Sequence, residues 1–221
     1  MRNRVVLLGP PASGKGTQAA LLSATFGIPA ASTGAMLREE KARGSEIGTE
    51  AERWTVEGRL FPDELALRVV WKWLDNRRRF ILDGFPRTLG QAQSFDHSLQ
   101  ERGLPLDVVY FLQLSEALVR ERMTSRLTCS SCASVFNEKF HKVTRETPCP
   151  KCGGELRRRD DDTNEALERR LAQFHEHTVP VAHHYRDKGL LKEVDVTEGR
   201  DAVFNRLYND FRAEEALYDS N

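Results

Sequence analysis

The sequence predicts an α/β fold: a five-stranded parallel sheet with helices on both faces and two small domains inserted into it. Three observations carry that prediction. Short apolar runs alternate with longer amphipathic stretches along most of the chain. The first apolar run leads without a break into a glycine-rich string. Two polar stretches, 32–61 and 127–162, interrupt the alternation. Strands buried on both faces read as continuous apolar runs, and their alternation with helices implies parallel crossovers. With 221 residues, 39% hydrophobic and 30% charged, the chain has material for one such core with satellites.

The elements follow in order. Val5–Leu8 is the first strand, and Ile28–Ala31, Phe80–Leu82, Val108–Leu112 and Leu191–Val196 repeat its character. Helices are expected over 15–25, 63–75, 90–101, 115–126, 163–186 and 200–213. Within the second of these, Leu65, Val69, Val70, Trp73 and Leu74 recur at helical spacing. The core is therefore expected to comprise 1–31, 62–124 and 163–221, with insertions at 32–61 and 125–162.

Charge narrows the partners. Lys plus Arg and Asp plus Glu number 33 each, a net charge of zero that argues against a general nucleic-acid binder. It still permits a local cluster of arginines around a small anion. The apolar run Val5–Leu8 is too short for a signal peptide or a membrane span, so a soluble, cytoplasmic protein with no membrane partner is expected.

The four cysteines, Cys129, Cys132, Cys149 and Cys152, form two C-x-x-C pairs with 16 residues between them. In a cytosolic chain this spacing matches a four-thiolate zinc site better than disulfides. Four protein ligands fill a tetrahedral shell and leave no position for a catalytic water, so one structural Zn²⁺ is expected.

The string Gly9-Pro10-Pro11-Ala12-Ser13-Gly14-Lys15-Gly16-Thr17 follows the first strand and opens a helix, which is the context of a P-loop. Phosphates need closely spaced backbone N–H donors, which glycines allow, and a helix N-terminus with a lysine completes the anion site. Gly16 stands where Ser or Thr is usual in the general motif, and Thr17 comes one place later. A second constellation is Phe80-Ile81-Leu82-Asp83-Gly84-Phe85-Pro86-Arg87-Thr88. Ligands of parallel sheets bind beyond strand C-termini, so Asp83 is expected to face the loop and order water around Mg²⁺, with Arg87 on the next turn.

These strings, together with Ser32-Thr33-Gly34-Ala35-Met36-Leu37-Arg38, resemble the adenylate kinase family in its bacterial form with a long zinc-bearing lid. The resemblance runs from the glycine loop to Val196 and implies the P-loop nucleoside monophosphate kinase fold. It makes 32–61 the AMP-binding domain and 125–162 the lid. It also implies the reaction, reversible transfer of the ATP terminal phosphoryl group to AMP giving two ADP, which maintains adenine nucleotide balance. By the same resemblance Gly14, Lys15, Gly16 and Thr17 hold the ATP phosphates, Arg122 and Arg126 reach ATP from one helix face, and Val135 and Phe136 touch its base. Thr33, Arg38, Gly84, Arg87 and Gln91 contact AMP, and main-chain atoms from Arg59 to Phe61 frame its adenine. Arg159 and Arg170 also belong to the AMP-binding set, close on the transferred phosphate and, with Lys15, Arg87 and Arg122, form the catalytic set. A monomer is the expected state.

Two positions depart from the family pattern: Ala12, where the loop commonly has glycine, and Ala35, where aspartate is common. Neither removes a catalytic group. Three other readings compete with this one. A kinase for another monophosphate, or one using GTP, is disfavoured by Thr33 and Gln91, which suit a purine acceptor. A P-loop switch or ATPase would need a water-positioning residue. A zinc-ribbon nucleic-acid module would need a strongly basic ribbon, whereas Asp160-Asp161-Asp162 closes this segment.

Overall fold

A computed structural model describes residues 2–55, 62–132, 134–158 and 163–212. Five strands, β1 (Arg4–Leu8), β2 (Ala30–Ser32), β3 (Phe80–Asp83), β4 (Val108–Gln113) and β8 (Leu191–Asp195), form the main sheet in the order β2-β3-β1-β4-β8. All four pairings are parallel. The expected fold class is thus the observed one.

Central β1 shows why the strands lack polar alternation. Val6 and Leu8 point into one core with Leu82, Val109 and Phe95, while Val5 and Leu7 point into another with Ile81, Val108 and Tyr110. All four β1 residues are essentially inaccessible. Helices α4 (Asp63–Leu74), α5 (Leu89–Glu101) and α9 (Val179–Asp187) cover the first face. Helices α1 (Lys15–Phe26) and α10 (Arg200–Arg212) cover the second. No helix among the described residues is long and apolar enough to cross a membrane.

Two small units lie outside the sheet. Helices α2 (Thr33–Ala42) and α3 (Glu46–Thr55) follow β2 as a tight pair. Strands β5 (Arg126–Cys129), β6 (Val135–Asn137) and β7 (Leu156–Arg157) form an antiparallel sheet in the order β6-β5-β7, with the one-turn helix α7 (Glu138–His141). This second sheet packs a core of its own from Leu127, Val143, Leu156, Cys129 and Cys149.

Three boundaries differ from expectation. The second strand is Ala30–Ser32 rather than Ile28–Ala31, because the ladder begins where the Pro29 carbonyl accepts from the Ile81 N–H (2.8 Å). The helix expected over 115–126 is α6 (Glu116–Thr124), so Arg126 lies on β5 and does not share a helix face with Arg122. The helix expected over 163–186 is three pieces: α8 (Asn164–Gln173), a π-helical turn (Phe174–Thr178) and α9. Pro180 explains the wide turn, since it lacks the N–H that Glu176 would accept and its ring crowds that carbonyl.

The α2–α3 pair depends on a glycine. A β-carbon at Gly48 would stand 2.5 Å from both the Glu40 carbonyl oxygen and the Lys41 nitrogen, backbone atoms that cannot yield cheaply. Glu40 itself is buried and accepts from Lys72 Nζ and Ser45 Oγ, each at 2.6 Å, which ties α2 to α4. The Lys72 hydrogen bond, then that of Ser45, holds its carboxyl below the usual range. Gly48→Ala should therefore cost about 1–3 kcal/mol, the usual penalty of forced overpacking. Urea unfolding checks this, with Gly34→Ala, whose added carbon meets only the tip of Arg38 at 3.4 Å, as the milder control.

Candidate active site

The site is built where β1, β3 and β2 end together. In the parallel register Leu7 pairs with Asp83, and Asp83 with Ser32, so three connections leave the sheet at one level. The loop after β1 is shaped by Gly9, where a β-carbon would stand 2.6 Å from the Leu112 carbonyl of β4, and by Gly14, which caps α1 at φ +87°. No side chain caps the first turn of α1. Its N–H groups therefore face the loop's concavity, as an anion site requires.

Lys15 folds back over this loop. Its ammonium donates to the carbonyls of Gly9 (2.9 Å) and Pro10 (2.8 Å) and to Ser13 Oγ (3.3 Å). The side chain keeps some exposed surface, yet burial of the ammonium lowers its pKa to about 8, against the pull of Asp83 and with the push of Arg87. Asp83 faces the same spot, and burial raises its pKa while Lys15 and Arg87 oppose the rise. A β-carbon at residue 16 would stand 3.1 Å from Asp83 Oδ2. That contact accounts for Gly16: the carboxylate occupies the room a Ser or Thr side chain would need.

Beyond Asp83 the chain turns at Gly84 (φ +68°) and passes a cis Phe85–Pro86 bond to Arg87, whose Nε donates to the Gly84 carbonyl at 3.0 Å. Arg87 keeps an exposed surface, yet desolvation of its guanidinium lowers its pKa; Asp83 raises it, and the charge of Arg170 on α8 lowers it further. Lys15, Asp83, Arg87 and Arg170 thus share one electrostatic neighbourhood with more positive than negative charge.

The remaining expected residues flank this centre on two sides. On the β2–β3 side, Thr33 is buried at the start of α2, and Arg38 lies one turn on. Gln91 is buried in the first turn of α5, where its Oε1 accepts from the Arg87 N–H (2.8 Å) and its Nε2 donates to Asp63 Oδ1 (2.8 Å). On the β4–β8 side, Arg122 of α6 donates to the Val196 carbonyl at 2.6 Å, and its guanidinium lies 5.9 Å from the exposed ring of Phe140. Val135 is exposed on β6 beside Phe136. Arg59, Phe61 and Arg159 lie outside the described residues. A cavity of about 530 Å³ opens beside Pro10, lined by Phe111, Phe174 and His183 among others, but Lys15, Asp83 and Arg87 are not in its wall. The charged centre is instead an open cleft, with Gly16 and Thr17 exposed.

One residue was not anticipated. Asp63 accepts from Thr88 Oγ1 (2.7 Å) as well as from Gln91, and a β-carbon at Gly90 would stand 2.9 Å from its Oδ2. It fixes the turn that carries Arg87 from the N-terminus of a different helix. In the sequence it reads only as an acid in the first turn of α4, a common helix-start residue.

The four cysteines converge at the small sheet. Their sulfur atoms lie within 4.8 Å of one another, with Cys129–Cys152 at 3.5 Å and Cys132–Cys149 at 3.7 Å. Sulfurs bound at the usual zinc distance lie about 3.8 Å apart in a tetrahedron, so the donor set and its size fit a metal ion. The second pair is held in a tight turn, the Cys149 carbonyl accepting from Gly153 N–H (2.8 Å) and Cys152 N–H (3.3 Å). A β-carbon at Gly154 would stand 2.5 Å from Ser131 Oγ and 3.0 Å from Cys129 Sγ, which excludes other residues there.

A parallel sheet whose first helix opens at a glycine loop and whose neighbouring strand ends in Asp83 and Arg87 defines the α/β nucleotide kinase class. A family model described as adenylate kinase matches residues 7–190. The adenylate kinase of Archaeoglobus fulgidus is 41% identical over 206 residues, spanning 92% of this chain and 95% of that protein. That of Thermodesulfovibrio yellowstonii is 41% identical over 207 residues, covering 92% and 96%. That of Clostridium botulinum is 40% identical over 209 residues, covering 93% and 97%. The chain belongs to the adenylate kinase family.

The Asp63 contacts generate a prediction. Asp63→Ala leaves the buried Gln91 amide and the Thr88 hydroxyl without their acceptor, at about 1–3 kcal/mol for such a group. Urea unfolding should show this loss, and turnover should fall at least about tenfold as the Arg87 turn loosens. Unchanged turnover in a folded variant would mean that the turn holds itself.

Proposed function

We propose that this chain catalyses its family's reaction, the reversible transfer of the terminal phosphoryl group of ATP to AMP giving two ADP, with the two nucleotides on opposite sides of Lys15. The observation that carries this reading is the excess of positive charge from Lys15, Arg87 and Arg170 around one half-buried carboxylate at the strand ends. The P-loop backbone, Gly14, Lys15, Gly16 and Thr17 hold the donor phosphates, with Arg122, Arg126, Val135 and Phe136 toward the adenosine. Thr33, Arg38, Gly84, Arg87 and Gln91, with Arg59 and Phe61, hold AMP. Gln91 has a second amide hydrogen besides the one given to Asp63, and that hydrogen suits a purine nitrogen.

In-line phosphoryl transfer asks the protein for alignment and charge rather than covalent chemistry. Lys15, Arg87, Arg122, Arg159 and Arg170 supply the charge, and the anionic acceptor phosphate needs no general base. Asp83 would hold the water of a Mg²⁺ ion bound with ATP, and that ion would supply further positive charge beside the phosphates. Because the charged centre is an open cleft, water must be excluded by closure, the role we assign to 32–61 as AMP-binding domain and 125–162 as lid. The chain is read as a cytoplasmic monomer acting on free nucleotides, without nucleic-acid or membrane partners.

Coupled assays with ATP as donor and AMP, CMP, UMP and GMP as acceptors test the reading. AMP should be preferred by about 10² or more, as expected when polar groups read the base. Lys15→Met should reduce turnover at least about 10³-fold with unchanged melting. A Lys15→Met enzyme retaining a tenth of its turnover would remove the assignment.

The metal of the cysteine site is read as one Zn²⁺ in a structural role. Four thiolates complete its shell, and the small sheet has few apolar residues to hold it otherwise. Cys129→Ser with Cys132→Ser should abolish zinc content, lower the melting temperature and loosen 127–162. Turnover at about 10 °C should persist at a sizeable fraction of normal. Complete loss of activity with the core folded and the lid still closing would give zinc a direct chemical part.

A further inference from the structure

Ala12 occupies the left-handed backbone region, at φ +57°. An L side chain adopts that region at a cost that glycine escapes. Asn76 (φ +52°) and Lys142 (φ +50°) are the other such non-glycine positions among the described residues. Asn is a residue that tolerates this region, and Lys142 ends a one-turn helix. Ala12 has neither excuse, and it sits within the phosphate loop. Strain retained at a binding loop calls for a compensating contact.

An apolar contact supplies the compensation. The Ala12 methyl group packs against a cluster of Val119 and Met123 from α6 with Leu167 and Leu171 from α8. Helix α6 ends one residue before Arg126 opens the small sheet, and α8 starts right after the cysteine-bearing segment. The cluster therefore joins the two helices by which the chain enters and leaves the lid. Met123 follows Arg122 in sequence, and Leu171 follows Arg170. The Ala12 methyl group thus packs the phosphate loop against the two helices that carry Arg122 and Arg170.

We infer that Ala12 is a positioning residue, whose β-carbon sets the phosphate loop and the lid-bearing helices α6 and α8 in register with each other. The inference rests on the donor-side reading of the loop given above. Glycine at this position would relax the backbone but remove the contact, so the loop and helices would settle independently. The expected signature is selective for the donor nucleotide, because Thr33, Arg38 and Gln91 lie on the other side of Lys15.

The test is a cycle of Ala12→Gly, Met123→Ala and the double variant, assayed at about 10 °C, with Ala12→Ser as the variant that keeps the β-carbon. Ala12→Gly should melt within a few degrees of the parent. It should raise KM for ATP about three- to tenfold and leave KM for AMP within twofold, the size expected of coupled neighbours. Ala12→Ser should stay within about twofold of the parent in both constants. In the Met123→Ala background, Ala12→Gly should change KM for ATP by less than about twofold, since the cluster that Ala12 packs against is already opened. Parental KM values in Ala12→Gly, tighter ATP binding, equal losses in the serine and glycine variants, or full additivity in the cycle would each overturn the inference. Lys15→Met separates the two readings. If it is inactive while Ala12→Gly behaves as the parent, the loop's role stands and the positioning role falls.

Discussion

The parallel pairing of β1 with β3 is the constraint on which the rest of the site depends. Because Leu7 and Asp83 are level in that ladder, the glycine loop and the Asp83–Arg87 turn emerge side by side, and a carboxylate can lie against the backbone of Gly16. Once that is fixed, residue 16 has little room for a side chain, Lys15 must share space with Asp83, and Arg87 must be held from outside the turn. Asp63 does the holding from the start of α4. Each later feature answers a crowding problem set by strand register.

Electrostatics give the crowding a direction. Arg87 lowers the proton affinity of Lys15 and Arg170 lowers that of Arg87, with Asp83 as the opposing charge in both cases. Buried like charges at close range are unfavourable unless a counter-charge joins them. Under the proposed function, a polyanion entering the cleft would relieve that repulsion. The ammonium of Lys15 meanwhile donates to the carbonyls of its own loop, the positions that phosphate oxygens would take over in that reading.

Much of this was legible in sequence because the signals are local. Continuous apolar runs marked the five strands, and the glycine string and strand-end acid marked the charged centre. What was missed depends on distance along the chain. Asp63 sits 28 residues from Gln91 and looked like an ordinary helix-start acid. Arg126 was assigned to a helix because four-residue spacing suits one, whereas Ser125 ends that helix and strand pairing claims Arg126. The split near Phe174 follows from Pro180, a local cue that the strong helical pattern on either side concealed. The left-handed backbone at Ala12 has no sequence signal, since alanine ordinarily argues for the opposite.

The small sheet has a consequence of another kind. Its packing core of Leu127, Val143, Leu156, Cys129 and Cys149 shares no residue with the cores that flank β1, and four sulfurs rather than aliphatic bulk hold its turns. The residues that determine how firmly this segment packs are therefore a different set from those that pack the main sheet beneath the charged centre. A substitution at Leu127, Val143 or Leu156 can loosen or stiffen the segment while the packing around β1 stays as it is. Firmness of the small sheet is a separately adjustable property of the fold.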